Sequence, residues 1–320
     1  MFELVFLGTS AAAPSVHRGL SSLAVLAGEY RYLVDCGEGT QRQILTSGIG
    51  FKKLDNILLT HAHLDHILGL GGLVSTFATW EDINELNIWG GRPTLDRVSR
   101  LLFNVVLDYE RLPIEIHMNE LTEPTWIAHH REFNVRAFPV THRGRGNFAF
   151  TFKEHDHRPF IVEKAEALGI PAGPERGQLV KGTAVTLADG RVIQPEAVLG
   201  ETEPGVKLVI IGDVGRTDNI FDEVEGADVL VMEATFLDED GLGEGSYGHM
   251  TAKATARFAR DAGVTTLILN HVSRRYRERD VIDEARSVFP NTYLARDFDH
   301  YVIRRGRPVL RNPDKDSYSK

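Results

Sequence analysis

At 320 residues, 42% of them hydrophobic, the chain can bury a large core in one large domain or two smaller ones, which excludes intrinsic disorder. No apolar run reaches the ~18 residues that span a bilayer, and Met1-Phe2-Glu3-Leu4-Val5-Phe6-Leu7 is too short and acidic for a signal peptide, so a soluble, cytoplasmic protein with no membrane partner is expected. The net charge of −9 argues against non-specific coating of DNA or RNA, which needs concentrated Lys and Arg, but leaves room for a local basic groove.

Strand-like and helix-like segments alternate, which favours a layered α/β architecture. Phe2–Leu7 reads as a strand, and Ser21–Leu26 with Tyr30–Asp35 as a hairpin across Ala27-Gly28-Glu29. Leu54–Thr60 is an apolar strand that delivers His61 at its end, and Ile67–Ala78 is expected to be helical, with Gly69, Gly71 and Gly72 permitting close backbone approach. Residues ~153–205 break the alternation with Gly169-Ile170-Pro171-Ala172-Gly173-Pro174 and a hairpin over Val185–Val192 turning at Asp189-Gly190, and read as an arm inserted into a single domain spanning 1–311. Lys207–Ile211, Val229–Met232 and Thr265–Asn270 are strands. Thr251 caps a helix over Ala252–Ala262 that Gly263 stops. The polar stretch 312–320 reads as a disordered tail.

His61, Asp213, Glu233 and His271 each lie just beyond a strand end, the edge of an α/β sheet where ligands bind. Cys36 is the only cysteine, so a metal must be held by carboxylates and by some of the 13 histidines. His61, His63, Asp65 and His66 follow a buried strand within six residues, a spacing that a turn can gather into one pocket of imidazole and carboxylate donors. His142, Asp213 and His271, at matching strand ends, would complete two sites.

The His-x-His-x-Asp-His run, the later lone His, the Gly-Asp and the final Asn-His resemble the metallo-β-lactamase fold over residues 2 to about 305. The resemblance implies a four-layer αβ/βα sandwich with two zinc ions per subunit at one edge of the paired sheets. By that pattern His61, His63 and His142 hold one zinc, Asp65, His66 and His271 the other, and Asp213 bridges them. Donors of this kind also accept manganese, cobalt or iron.

The insertion points to a substrate. Leu168-Gly169-Ile170-Pro171, Gly173-Pro174, Gly177-Gln178-Leu179, Lys181-Gly182 and Asp189-Gly190-Arg191 are similar to the flexible arm of the ribonuclease Z family, the tRNA 3′-processing endonucleases, in which the arm grips the tRNA elbow. Glu233-Ala234-Thr235-Phe236, Gly248-His249-Met250-Thr251-Ala252 and Asn270-His271-Val272-Ser273-Arg274-Arg275-Tyr276 resemble further motifs of that family. Cleaving an RNA phosphodiester leaves a 3′ oxyanion that needs a proton, and a His held by a carboxylate is a suitable donor. His249 is therefore expected to protonate the leaving oxygen while Glu233 orients it, with Asp65 as the third catalytic residue. The resemblance also assigns Gly173, Pro174, Arg275 and Tyr276 to substrate contact, and implies a homodimer in which one subunit's arm serves its partner's active site.

The chain departs from the family pattern at Pro14-Ser15-Val16-His17-Arg18-Gly19, where only Pro14 and Arg18 match, and at Val214, Met232 and Met250. Between Glu163 and Gln194 four basic and four acidic residues cancel. The expected function is a zinc-dependent endoribonuclease that removes the 3′ trailer of precursor tRNA and leaves a 3′-hydroxyl. A binuclear phosphodiesterase, or a lactone or thioester hydrolase, acting on a small molecule is the alternative with the same metals. A non-catalytic RNA-binding protein is the alternative of another class, disfavoured by the complete donor set.

Overall fold

A computed structural model of the chain describes residues 1–80, 83–107, 114–240 and 248–312. It divides into a unit of residues 1–153 with 206–320 and a smaller unit, Glu154–Gly205. The larger unit holds two sheets. In chain order the first contains β1 (Phe2–Gly8), β2 (Ser22–Ala27), β3 (Tyr30–Val34), β4 (Asn56–Leu58), β5 (Glu85–Gly91) and β6 (Glu115–Leu121). The second contains β7 (Thr125–His129), β8 (Phe133–Pro139) and β9 (Phe148–Glu154). The strands β10 (Val185–Thr186) and β11 (Val192–Ile193) belong to the smaller unit. Next come β12 (Lys207–Ile210), β13 (Val229–Glu233), β14 (Thr266–Asn270) and β15 (Thr292–Leu294) of the second sheet, then β16 (His300–Ile303) and β17 (Leu310–Arg311) of the first. The strand orders are β17-β16-β1-β2-β3-β4-β5-β6 and β15-β14-β13-β12-β9-β8-β7.

Strand periodicity explains the layering. Along β1, Phe2, Leu4 and Phe6 enter a core shared with Phe148, Phe150, Phe152, Leu208 and Ile210 of the other sheet. Val5 and Leu7 face the opposite way, among Ile44 of α1 (Thr40–Ser47), Ile67 of α2 (Leu64–Ile67), Leu73 and Phe77 of α3 (Leu70–Trp80), and Leu95 and Val98 of α4 (Arg92–Leu101). The second sheet repeats this with Val229 and Val231 inward and Leu230 and Met232 outward. The outward residues meet α7 (Phe221–Val224), α8 (Ala252–Asp261) and α9 (Glu278–Arg286). Two sheets, each buried on both faces, give the expected αβ/βα sandwich. Among the described residues no helix is long and apolar enough to cross a membrane.

Most local expectations hold. The β2–β3 hairpin turns at Gly28, whose φ of 60° suits the first position of a two-residue turn. Thr251 Oγ1 accepts the Ala254 N–H at 3.1 Å and caps α8, and Gly263, at φ 64°, follows its end. The strand expected over Leu54–Thr60 is shorter. Its chain leaves the sheet at Thr60 because that N–H is diverted to the Asp35 carboxylate at 2.8 Å. The helix expected over Ile67–Ala78 is two helices, α2 and α3, and the first carries Asp65 and His66.

That junction depends on Gly69. A Cβ there would lie 2.0 Å from the carbonyl oxygen of Gly37, whereas at Gly71 it would meet only Val106 Cγ2 at 3.2 Å. Gly69→Ala is expected to cost about 1–3 kcal/mol or more through overpacking. Gly71→Ala should stay within about 1 kcal/mol, the clash opposed by better helix propensity. Urea midpoints of the two variants check this, and equal midpoints would remove the claim.

The Glu154–Gly205 unit has its own small core of Ala165, Ile170, Leu179, Val185, Ile193 and Val198. Its sequence looks like a glycine-proline loop, yet it contains α5 (Val162–Ala167) and α6 (Pro174–Val180). Pro174 opens α6, where its missing N–H costs nothing and its fixed φ is already helical. The expected hairpin at Asp189-Gly190 is present as β10–β11. Of the expected tail, Asn312 is held by a 3.0 Å bond to Asp299 and a 2.6 Å bond to the His300 carbonyl, and residues 313–320 lie outside the described residues.

Candidate metal centre

The parallel strands β13, β14 and β15, and the ends of β4, β8 and β12, deliver their following residues to one edge. There the seven residues expected as metal ligands converge in two donor sets. His61, His63, His142 and Asp213 offer atoms within 4.8 Å of one another, and so do Asp65, His66 and His271. In the first set His61 Nε2 lies 2.8 Å from His63 Nδ1 and 3.4 Å from Asp213 Oδ2. In the second His66 Nε2 lies 3.2 Å from His271 Nε2. Asp213 Oδ1 reaches toward this second set, 3.5 Å from His66 and 3.3 Å from His271. Its two oxygens therefore face different sets, the placement required of a bridge.

Four of the five rings are aimed by a hydrogen bond at Nδ1. His61 Nδ1 meets Thr60 Oγ1 at 3.0 Å, His66 Nδ1 meets Asp35 Oδ2 at 2.7 Å, His142 Nδ1 meets the Gly248 carbonyl at 2.6 Å, and His271 Nδ1 meets Thr235 Oγ1 at 3.0 Å. Such outer partners fix the tautomer and orientation of ligating imidazoles. Asp35 and His271 are held at φ 59° and 52°. For side-chain-bearing residues these left-handed conformations cost energy, and they concentrate at functional sites.

The donor chemistry fits divalent cations. Asp213 is 2% exposed, and its Oδ1 has no hydrogen-bond donor among the described residues. Burial pushes the pKa of His63 down to about 4 and that of His142 to about 3, so both rings are neutral with lone pairs available. Burial works against ionised Asp213, but the His271, His66 and His61 rings outweigh it and hold this carboxyl well below the usual range. Burial likewise disfavours a charged His66, yet Asp213 and Asp35 push its pKa up to about 10. Clustered carboxylates thus demand positive charge at this position, which protons supply on His66 and a pair of divalent cations would supply better.

Beside these sets, the Glu233 oxygens both lie 3.1 Å from His249 Nδ1. Glu233 is 1% exposed and accepts from the Val214 N–H at 2.8 Å and from Thr235 Oγ1. Burial opposes a charged His249, but the Glu233 carboxylate more than offsets this and raises its pKa above the ordinary imidazole value. Thr251, not His249, caps the next helix, so a purely capping role for His249 is not what the local structure displays.

The other expected site residues have partners of their own or belong to the smaller unit. Tyr276 donates its hydroxyl to Asp240, and Arg275 approaches the same carboxylate at 4.0 Å. Gly173 and Pro174 sit at the start of α6 in the smaller unit. Asp35, Thr60, Thr235 and the Gly248 carbonyl were not foreseen. In the sequence Asp35 and Thr60 are only strand ends, and Thr235 and Gly248 only members of family motifs, with nothing to mark their bonds to the rings. The departures from the family pattern at Val214, Met232 and Met250 are all buried in the core beneath α8. Arg18 is buried too, donating to Thr9 Oγ1 at 2.5 Å and to the Ala295 carbonyl at 2.8 Å.

Comparisons with known proteins agree with this geometry. A profile described as beta-lactamase superfamily domain matches residues 175–272, and one described as anti-Pycsar protein Apyc1 matches residues 2–155. A ribonuclease Z of Bradyrhizobium diazoefficiens is 46% identical over 303 residues, covering 95% of this chain and 100% of the relative. One from Archaeoglobus fulgidus is 40% identical over 93% of this chain and 96% of its own length. The crystal structure of human tRNase Z, short form, superimposes with a TM-score of 0.66 at 24% identity over 94% of this chain and 99% of that one. With the metallo-β-lactamase fold and a similarity that runs nearly end to end, the chain belongs to the ribonuclease Z family.

Proposed function

We propose that the protein is a zinc-dependent endoribonuclease that removes the 3′ trailer from precursor tRNA and leaves a 3′-hydroxyl on the tRNA. The observation that carries this reading is the Glu233–His249 pair, 3.1 Å apart and adjoining the two donor sets. The metal ligands alone suit many hydrolases. A proton donor placed beside them suits a reaction whose leaving group is an alkoxide. The names and near-complete coverage of the relatives support the same choice.

His61, His63 and His142 would hold one zinc, Asp65, His66 and His271 the other, and Asp213 both. When bound, such a pair supplies Lewis acidity that acidifies water and neutralises charge on a phosphodiester. The chain's own residues do the rest. As the water oxygen bonds to phosphorus and the P–O3′ bond breaks, His249 donates its Nε2 proton to O3′, and Glu233 holds the ring through Nδ1. Asp65 accepts the Ala12 N–H at 2.9 Å through Oδ2. Despite burial, His271 and His66 hold its carboxyl well below the usual range. It therefore stays ionised and orients the attacking water by accepting a hydrogen bond rather than keeping its proton.

The Glu154–Gly205 unit is the tRNA grip in this reading, with the subunits paired as a homodimer. Of its five cations, Arg158 bonds to the Gly200 carbonyl, Arg176 to the Ile170 carbonyl and Arg191 to Asp189, while Lys164 and Lys181 are exposed. The two lysines, with Gly173 and Pro174 on the exposed start of α6, are its RNA-facing candidates. Deleting residues 163–194 is expected to abolish cleavage of a precursor tRNA with a 3′ extension and to spare hydrolysis of a small chromogenic phosphodiester. Equal loss of both, or no cleavage of precursor tRNA by the intact protein, would overturn the assignment.

A further inference from the structure

The chain carries net charge −9, yet four guanidinium groups, from Arg279, Arg286, Arg296 and Arg311, line one cavity of about 280 Å³ with a single carboxylate, Glu278, among its walls. Ile282 and Leu294 provide its apolar part. Four like charges around one concavity repel each other, and nothing in solubility requires them to be gathered there.

The carboxylate in the wall is already neutralised. Glu278 Oε1 accepts from Arg18 at 2.6 Å and Oε2 from Arg296 at 2.7–2.8 Å. Arg279 is 87% exposed and only loosely paired, 3.3 Å from Asp283. Arg286 donates Nε to the Thr292 carbonyl at 2.9 Å, a bond that positions the group without cancelling its charge. Arg311 is anchored on Asp299 at 2.5 Å. The wall therefore keeps an excess of positive charge, with planar N–H forks suited to phosphate oxygens.

Position ties the cavity to the metal centre. Leu294 ends β15, which runs parallel to β14, whose end delivers His271, so Leu294 and Arg296 lie at the catalytic edge. Arg18 links the two further. It bonds Glu278 in the cavity wall and belongs to the same loop as Ala12, whose N–H donates to Asp65.

We infer that this cavity is a second phosphate-binding site, which takes a backbone phosphodiester of the RNA whose scissile bond lies at the metal centre. The inference rests on the endoribonuclease reading above. It assigns Arg279 and Arg286 a sequence-independent contact that holds the strand in register.

The test uses the full-length protein, treated with chelator so that binding is separated from turnover, and fluorescently labelled precursor tRNA. For the Arg279→Ala/Arg286→Ala variant, affinity should fall about tenfold or more at low salt. The slope of log affinity against log salt should flatten by about one. Arg279→Lys/Arg286→Lys should restore most of that slope, which a merely structural role would not do. Should the double alanine variant unfold, Arg279→Ala alone, at an exposed position, decides on the same slope. If the wild type cleaves precursor tRNA while the variants bind it with unchanged affinity and slope, the cavity is not a phosphate site and the proposed function stands. If the wild type neither binds nor cleaves precursor tRNA, the function fails and takes the cavity with it.

Discussion

His249→Ala is expected to slow single-turnover cleavage of precursor tRNA by about 10²–10⁴-fold, the usual contribution of a positioned general acid, while leaving metal content unchanged. The geometry separates these two effects. His249 Nδ1 is committed to Glu233 at 3.1 Å, and Glu233 is buried and fixed by the Val214 N–H. Nε2 is the nitrogen left for substrate. His249 also lies 3.7 Å from Asp213, so a role as an extra metal ligand has to be distinguished from proton transfer. A substrate with sulfur in place of the bridging 3′ oxygen makes the distinction, because a thiolate leaves without a proton. If His249 is the acid, the variant should cleave this substrate nearly as fast as the wild type. A defect of equal size on both substrates, or metal lost along with activity, would rule the assignment out. Glu233→Gln should show the same pattern more weakly, since the ring remains but is less firmly held.

Much of this site could be read from the sequence because the fold places it at strand ends. His61, Asp213, Glu233 and His271 each end or follow a hydrophobic run, and such runs are what periodicity detects. The same holds for β1 and the β2–β3 hairpin, whose alternating or turn-bounded patterns are local. What supports the ligands was not legible. Asp35 and His66 are 31 positions apart, and Thr235 and His271 36 apart, in bonds that exist only once the sheets are assembled. The stretch over β5, β6 and β7 left little signal because β6 and β7 are largely half-exposed and lack a clean alternation. In the smaller unit, proline and glycine gave the appearance of a loop although Pro174 begins a helix. The arginine cavity was hidden for another reason. Its members come from α9, the loop after β15 and β17, so they form no run of charge along the chain.

Asp213→Ala should have the larger effect, because one carboxylate serves both donor sets. Its Oδ2 lies 3.4 Å from His61 and 3.8 Å from His142, and its Oδ1 3.5 Å from His66 and 3.3 Å from His271. Loss of a bridge should weaken both metals together, and cleavage should fall by at least about 10³-fold, since two-metal stabilisation is worth several kcal/mol at about 1.4 kcal/mol per factor of ten. Activity alone cannot tell a bridge from an ordinary ligand, but metal stoichiometry and melting can. Metals that bind only the folded state raise Tm, so the wild type should melt lower after chelation. His63→Ala, which touches one set, should lose one metal and narrow that gap. Asp213→Ala should lose both and close it. Asp213→Asn keeps the shape and removes the charge, so it should behave like the alanine variant if charge is what the cations require. Retention of one tightly held metal by Asp213→Ala would show that Asp213 belongs to a single site, and the two sets would then have to act independently.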